Sequence, residues 1–173
     1  MTGELAWDNR NGTLQVMTPR TRAFMGFFGN QTVRDDILQL KLNDAYGVVG
    51  FASLDNQPLE KSGDILVCLV GLQRNAGQTY RYFNTHGAPG YDKEEAYTLK
   101  SQGSQPVMME PATVEFALKT NRKNGSWKLL PLDLQDQPKP DAAQLLTVND
   151  GLLKARLSNK EFQSCNFVLV HTP

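Results

Sequence analysis

The sequence predicts an all-β protein, an antiparallel β-sandwich of jelly-roll type. Three observations predict it. Short runs rich in β-branched and aromatic residues recur at regular intervals along the 173 residues. Turn-forming Asn-Gly pairs and Asp-, Gly- and Pro-bearing stretches separate those runs. Strands do not alternate with amphipathic helices, which removes doubly wound α/β folds. The expectation is one domain over residues 1–173, with about ten to twelve strands and little helix.

From the N-terminus, Glu4–Trp7 and Thr13–Thr18 are expected to form a hairpin, because Asn11-Gly12 between them tolerates positive φ at both positions. Arg22–Phe28 follows. Ile37–Leu42 reads as a half-buried strand, with Leu38, Leu40 and Leu42 facing one way and Ile37, Gln39 and Lys41 the other. Gly47–Ser53 (GVVGFAS) and Ile65–Leu72 (ILVCLVGL) are apolar at both alternations, the pattern of central strands covered on both faces. Thr79–Phe83 and Thr113–Leu118 continue the series, and Asn124-Gly125 predicts a hairpin returning Trp127–Leu130 to Thr113–Lys119. Leu152–Leu157 and Asn166–His171 complete it. The helical candidate is a turn or two at Asp141–Leu146, behind Pro138 and Pro140, with Asp141 as N-cap. Asn84–Gln105 and Pro131–Pro140 are long connections, which in a sandwich carry function or cover one sheet.

Eighteen basic residues balance eighteen acidic ones. Charge therefore supplies no reason to expect nucleic acid or an anionic membrane as partner. The longest apolar run, Ile65–Val70, falls far short of the ~20 residues that span a bilayer. The opening stretch MTGELAWDNRNG has neither the basic start nor the apolar segment of a signal peptide. Cys68 and Cys165 lie in apolar runs and read as reduced core thiols; a bridge between them requires neighbouring strands. No Cys/His cluster predicts a metal centre and no cofactor is expected, while structural calcium in a sandwich loop leaves no readable motif.

Catalytic signatures are missing: the nucleophile elbow, the phosphate-binding loop, the zinc-protease helix and the dinucleotide fingerprint have no match. Only His86 and His171 offer imidazoles. Asp35-Asp36 and Glu94-Glu95 are adjacent pairs, and on a strand adjacent residues face opposite ways, so neither makes a glycosidase dyad. No catalytic residue is assigned. The candidate binding residues are aromatic: Tyr80, Tyr82, Tyr91, Trp7 and Trp127. Such rings stack on the C–H faces of sugars, while amides, here twelve Asn and twelve Gln, bind hydroxyls. Tyr80 and Tyr82 share one strand face and Tyr91 follows in the long loop, so these three form the expected platform. Trp7 and Trp127 flank hairpin turns, where a Trp serves as a lid on the core more often than as a sugar platform.

Two segments carry a further pattern. GELAWDNRNGTLQVMTPRTRAFMGFFG supplies Gly3, Trp7, Asp8, Gly12, Thr18, Pro19, Arg20 and Gly26. VVGFASLDNQPLEKSGDILVCLVGLQRNAG supplies Ser53, Leu54, Asp55, Pro58, Leu59, Ser62, Ile65, Leu66, Asn75 and Gly77. Over roughly residues 3–80 the chain resembles the accessory β-sandwich that follows the catalytic (β/α)8 barrel in bacterial glycoside hydrolases. The resemblance implies a non-catalytic domain, since the paired carboxylates of those enzymes lie in the barrel. It implies a polysaccharide, or the catalytic domain of a parent enzyme, as partner, and a secreted or periplasmic setting as part of a larger protein. On physical grounds the motif residues read as fold builders: Asp55 and Pro58 shape a turn ending on Leu59, Pro19 marks a strand end, and Arg20 pairs with a carboxylate. An exposed aromatic platform favours glycan binding; a large apolar patch on one sheet face favours bracing. A stand-alone β-sandwich lyase or hydrolase and an adhesion module are the alternatives.

Overall fold

The computed structural model describes residues 4–29, 31–43, 46–84 and 95–173, except the side chains of 82–84 and 95–97. Among the described residues there are seventeen strands. In chain order they are β1 Leu5–Asp8, β2 Thr13–Thr18, β3 Thr21–Gly26, β4 Thr32–Arg34, β5 Leu38–Leu42, β6 Gly47–Ser53, β7 Asp64–Val70, β8 Gln73–Ala76 and β9 Thr79–Asn84. Then come β10 Glu95–Ser101, β11 Ser104–Met109, β12 Thr113–Lys119, β13 Ser126–Pro131, β14 Gln144–Leu146, β15 Val148–Asn149, β16 Leu152–Ser158 and β17 Asn166–Thr172. The surplus over the expected ten to twelve consists of the short edge strands β4, β14 and β15, of β8, and of strands in the region read as the long connection after Asn84. Residues 85–94 of that connection, with Tyr91, His86 and Glu94, lie outside the described residues.

The chain divides into two compact units, Met1–Gly71 with Pro111–Pro173, and Leu72–Glu110. The first holds both large sheets: eight strands in the order β1-β2-β3-β6-β7-β17-β13-β14, and five in the order β15-β16-β12-β5-β4. Neighbouring strands are antiparallel throughout. The chain crosses between sheets from β3 to β4, β5 to β6, β12 to β13, β14 to β15 and β16 to β17, a jelly-roll-like path. The second unit is two ribbons, β8 paired with β11 and β9 with β10.

The core lies between the two sheets of the first unit. Phe24, Phe51, Ile65, Val67, Phe167 and Leu129 come from the large sheet; Leu38, Leu40, Leu42, Val114, Phe116 and Leu118 come from the small one. Strict alternation makes this possible: β5 buries Leu38, Leu40 and Leu42 and exposes Gln39 and Lys41. Each fully buried Leu or Phe contributes roughly 1.5–3 kcal/mol relative to exposure.

The β1–β2 hairpin forms with Asp8 opposite Thr13. Gly12 takes φ 63°, and the Asp8 carboxylate accepts from the N–H groups of Arg10 and Asn11 and from the Asn11 amide. Two expectations are corrected. β13 does not return to β12 but pairs with β17 and β14 in the opposite sheet, which puts Trp127 and Leu129 on the core. At Asp141–Leu146 there is only a single 3-10 turn, Pro140–Ala142, with no side-chain cap, and then β14. The one α-helical turn among the described residues is α1, Asn159–Phe162, capped by Ser158, whose hydroxyl accepts from Glu161 N–H.

Arg22, 8% exposed, points into the sandwich rim. Its guanidinium donates to the carboxylates of Asp35 and Asp36 and to the Thr18 carbonyl. Asp35 also accepts from Ile37 and Leu38 N–H, starting β5. The Asp35-Asp36 pair is thus a structural anchor.

Candidate functional site

The aromatic candidates are not brought together among the described residues. Tyr80 on β9 is 52% exposed, its hydroxyl accepting from the Gln78 amide at 2.9 Å. Tyr82 occupies the strand position two residues on, but its side chain, like all of Tyr91, lies outside the described residues. Trp7 on β1 is 79% exposed, so it is no lid on the core. Trp127 is 1% exposed; its indole N–H donates to the Arg122 carbonyl, and its ring lies against His171. Trp127 has no face left for a sugar.

The segments around Pro19 and Asp55 meet at one corner. Leu59 N–H donates to the Pro19 carbonyl and Ser53 N–H to the Arg20 carbonyl, both at 2.9 Å. The Arg20 guanidinium donates to the Asn56 amide oxygen rather than to the expected carboxylate, and Leu59 is fully buried. Burial pushes the Asp55 carboxyl up, yet donors from Gly63 N–H, Ser62, Ser53 and Gln57 N–H outweigh it and hold the group at about 2. Arg122 lies 3.9 Å away. These contacts build the fold and leave little of Asp55 for chemistry.

Cys68 and Cys165 stand on neighbouring chain segments, and neither is in a disulfide. Burial raises both thiols above their ordinary range, which makes them poor nucleophiles. Among the described residues, no three His, Cys, Asp or Glu side chains are grouped to hold a metal.

The two sheets differ sharply on their outward faces. Across the large sheet, strand pairing sets Trp7, Leu14, Met25, Val48 and Val70 in one row. A second row is Leu5, Val16, Ala23, Gly50 and Cys68. A third runs through Ala52, Leu66, Val168 and Leu130. The inward neighbours of these residues on β3, β6 and β7 are buried, while the outward ones are half-exposed. The patch is roughly 25 Å across the strands and roughly 15 Å along them, from standard strand spacing. The small sheet presents Thr32, Lys41, Glu115 and Arg156 in one row and Arg34, Gln39, Ala117 and Lys154 in the next. A solvated sheet face normally alternates apolar in and polar out, as the small sheet does. The apolar double alternation of GVVGFAS and ILVCLVG calls for a cover on the outward side, and it is this face, not the tyrosine set, that sequence reasoning left unassigned. The chain matches no protein-family model, no curated protein and no solved structure.

Proposed function

We propose that the chain is a non-catalytic accessory sandwich of a glycoside hydrolase that braces a catalytic barrel through the outward face of the large sheet. The supporting observation is the three-row apolar patch centred on Val48, Gly50 and Leu66. An apolar sheet face of a few hundred Å² matches the largest patch of a typical monomeric protein, and such patches are often functional. The small residues Ala23, Gly50 and Ala52 flatten its middle, and flanking Trp7 and Met25 supply the residue types enriched at interface cores. Polysaccharide binding has less support: Trp127 is buried, and Tyr80 is the only described side chain of the expected platform.

The test has two arms: capture of a (β/α)8 glycosidase domain encoded beside this chain, and affinity electrophoresis in neutral β-glucan, xylan, mannan and galactan. The expected result is capture by the wild-type chain, loss of capture in Val48→Asn/Leu66→Asn, and no retardation by the neutral glycans. Retardation that Tyr80→Ala abolishes, without capture of the barrel, replaces bracing by glycan binding. Release of reducing ends by the chain alone overturns the non-catalytic reading.

A further inference from the structure

The polar face of the small sheet is not uniform. Ala117 sits in the middle of its row, between Gln39 on β5 and Lys154 on β16. Its short side chain leaves a floor between taller neighbours. Two adjoining hollows of about 280 and 120 Å³ share Gln39 and Ala117 in their walls. Lys41, Lys154, Thr32 and Glu115 line the first. Arg34, Lys119 and the exposed Asp36 line the second, where Asp35 is engaged by Arg22.

We propose that this trough binds a linear polyuronate chain. The cations do not converge on one point. Arg34 and Lys154 stand at opposite ends of a row crossing four strands, about 14 Å apart at ordinary strand spacing, with Lys41 and Lys119 on the two sides between them. That spread suits a ligand carrying several carboxylates in sequence; a single phosphate meets one or two of these groups at most. Thr32, Gln39 and Glu115 accept or donate hydrogen bonds and suit hydroxyls between the charges. Single-stranded nucleic acid fits less well. It needs exposed rings for base stacking, and the one ring lining the trough, Phe116, is 4% exposed. The inference rests on the trough alone and is independent of the docking face on the other sheet.

Affinity electrophoresis in polygalacturonate and alginate tests it, with neutral galactan and oligo(dT) as comparison probes. The expected result is retardation by a polyuronate, weakened by salt. Affinity falls about tenfold in Lys154→Glu and in Ala117→Leu, the second of which fills the floor without changing charge. Lys128→Glu, on the large sheet, binds as the wild type does, and all three variants keep the wild-type unfolding midpoint. No retardation by either polyuronate, unchanged affinity in both trough variants, equal loss in Lys128→Glu, or tighter binding of oligo(dT) overturns the proposal. None of these outcomes alters capture of a barrel by the opposite face.

Discussion

Phe51 of β6 and Phe116 of β12 meet edge to face between the sheets, ring centroids 5.1 Å apart and planes at 73°. Because the two strands belong to different sheets, this contact helps hold the halves of the sandwich together. Either residue replaced by Ala is expected to cost ~3–5 kcal/mol, from lost transfer energy and the cavity left behind. A double-mutant cycle by urea unfolding should return about 0.5–1.5 kcal/mol of coupling. Simple additivity of the two losses contradicts an energetic pairing of the rings.

Arg22 is anchored mainly by Asp35, whose side chain is 13% exposed, and only peripherally by Asp36, which is 79% exposed. Arg22→Met leaves the Asp35 carboxylate without its counter-charge in a confined site, and Asp35→Ala leaves the buried guanidinium with only the exposed Asp36 and backbone carbonyls, among them that of Thr18. Each is expected to cost ~3–5 kcal/mol. Asp36→Ala should cost under about 1 kcal/mol, as for an exposed ion pair. Chemical denaturation separates the two; equal losses at Asp35 and Asp36 refute the assignment of the anchor.

Asp55 makes stability depend on pH in acid. Its carboxyl is held at about 2 in the folded chain, below the ~3.9 of an unfolded one. A depressed folded value means its contribution is complete above about pH 4 and fades as pH falls toward about 2. Urea midpoints taken across that window should decline for the wild type and decline less for Asp55→Asn, which starts from a lower midpoint because Gly63 N–H and the Ser53 hydroxyl lose a charged acceptor. Parallel declines locate the acid sensitivity elsewhere.

The two tryptophans report separately on the exposed edge and on the core. Trp7 is 79% exposed and Trp127 is 1% exposed. Acrylamide should quench Trp127→Phe efficiently, because only Trp7 then emits, and should quench Trp7→Phe weakly. Trp7→Phe should leave stability within about 0.5 kcal/mol, as at other surface sites. Strong quenching in Trp7→Phe means that Trp127 is not in the core.

The strand at Leu38–Leu42 was readable because its alternation depends only on neighbouring residues. The hairpin at Asn11-Gly12 was readable because positive φ at Gly12 is a property of that residue. The capping pattern Ser158-Asn159-Lys160-Glu161, a hydroxyl followed three residues later by a carboxylate, was also present as a signal for α1. The partner of β13 was not readable. Asn124-Gly125 announces a turn, yet the sheet that the next strand joins depends on where Trp127 and Leu129 find apolar neighbours, here β17 and β14.

The candidate site divides the same way. That GVVGFAS and ILVCLVG need cover on both faces is encoded in their composition, since every second residue on either side is apolar. That the inward side meets β5 and β12 while the outward side carries the half-exposed patch follows from the strand order β3-β6-β7-β17. The trough likewise needs Gln39, Ala117 and Lys154, distant in sequence, set side by side by pairing. Turn chemistry and alternation act within a few residues and survive in the linear chain. Pairing and layer assignment minimise exposed apolar surface over the whole molecule, so folding alone sets them.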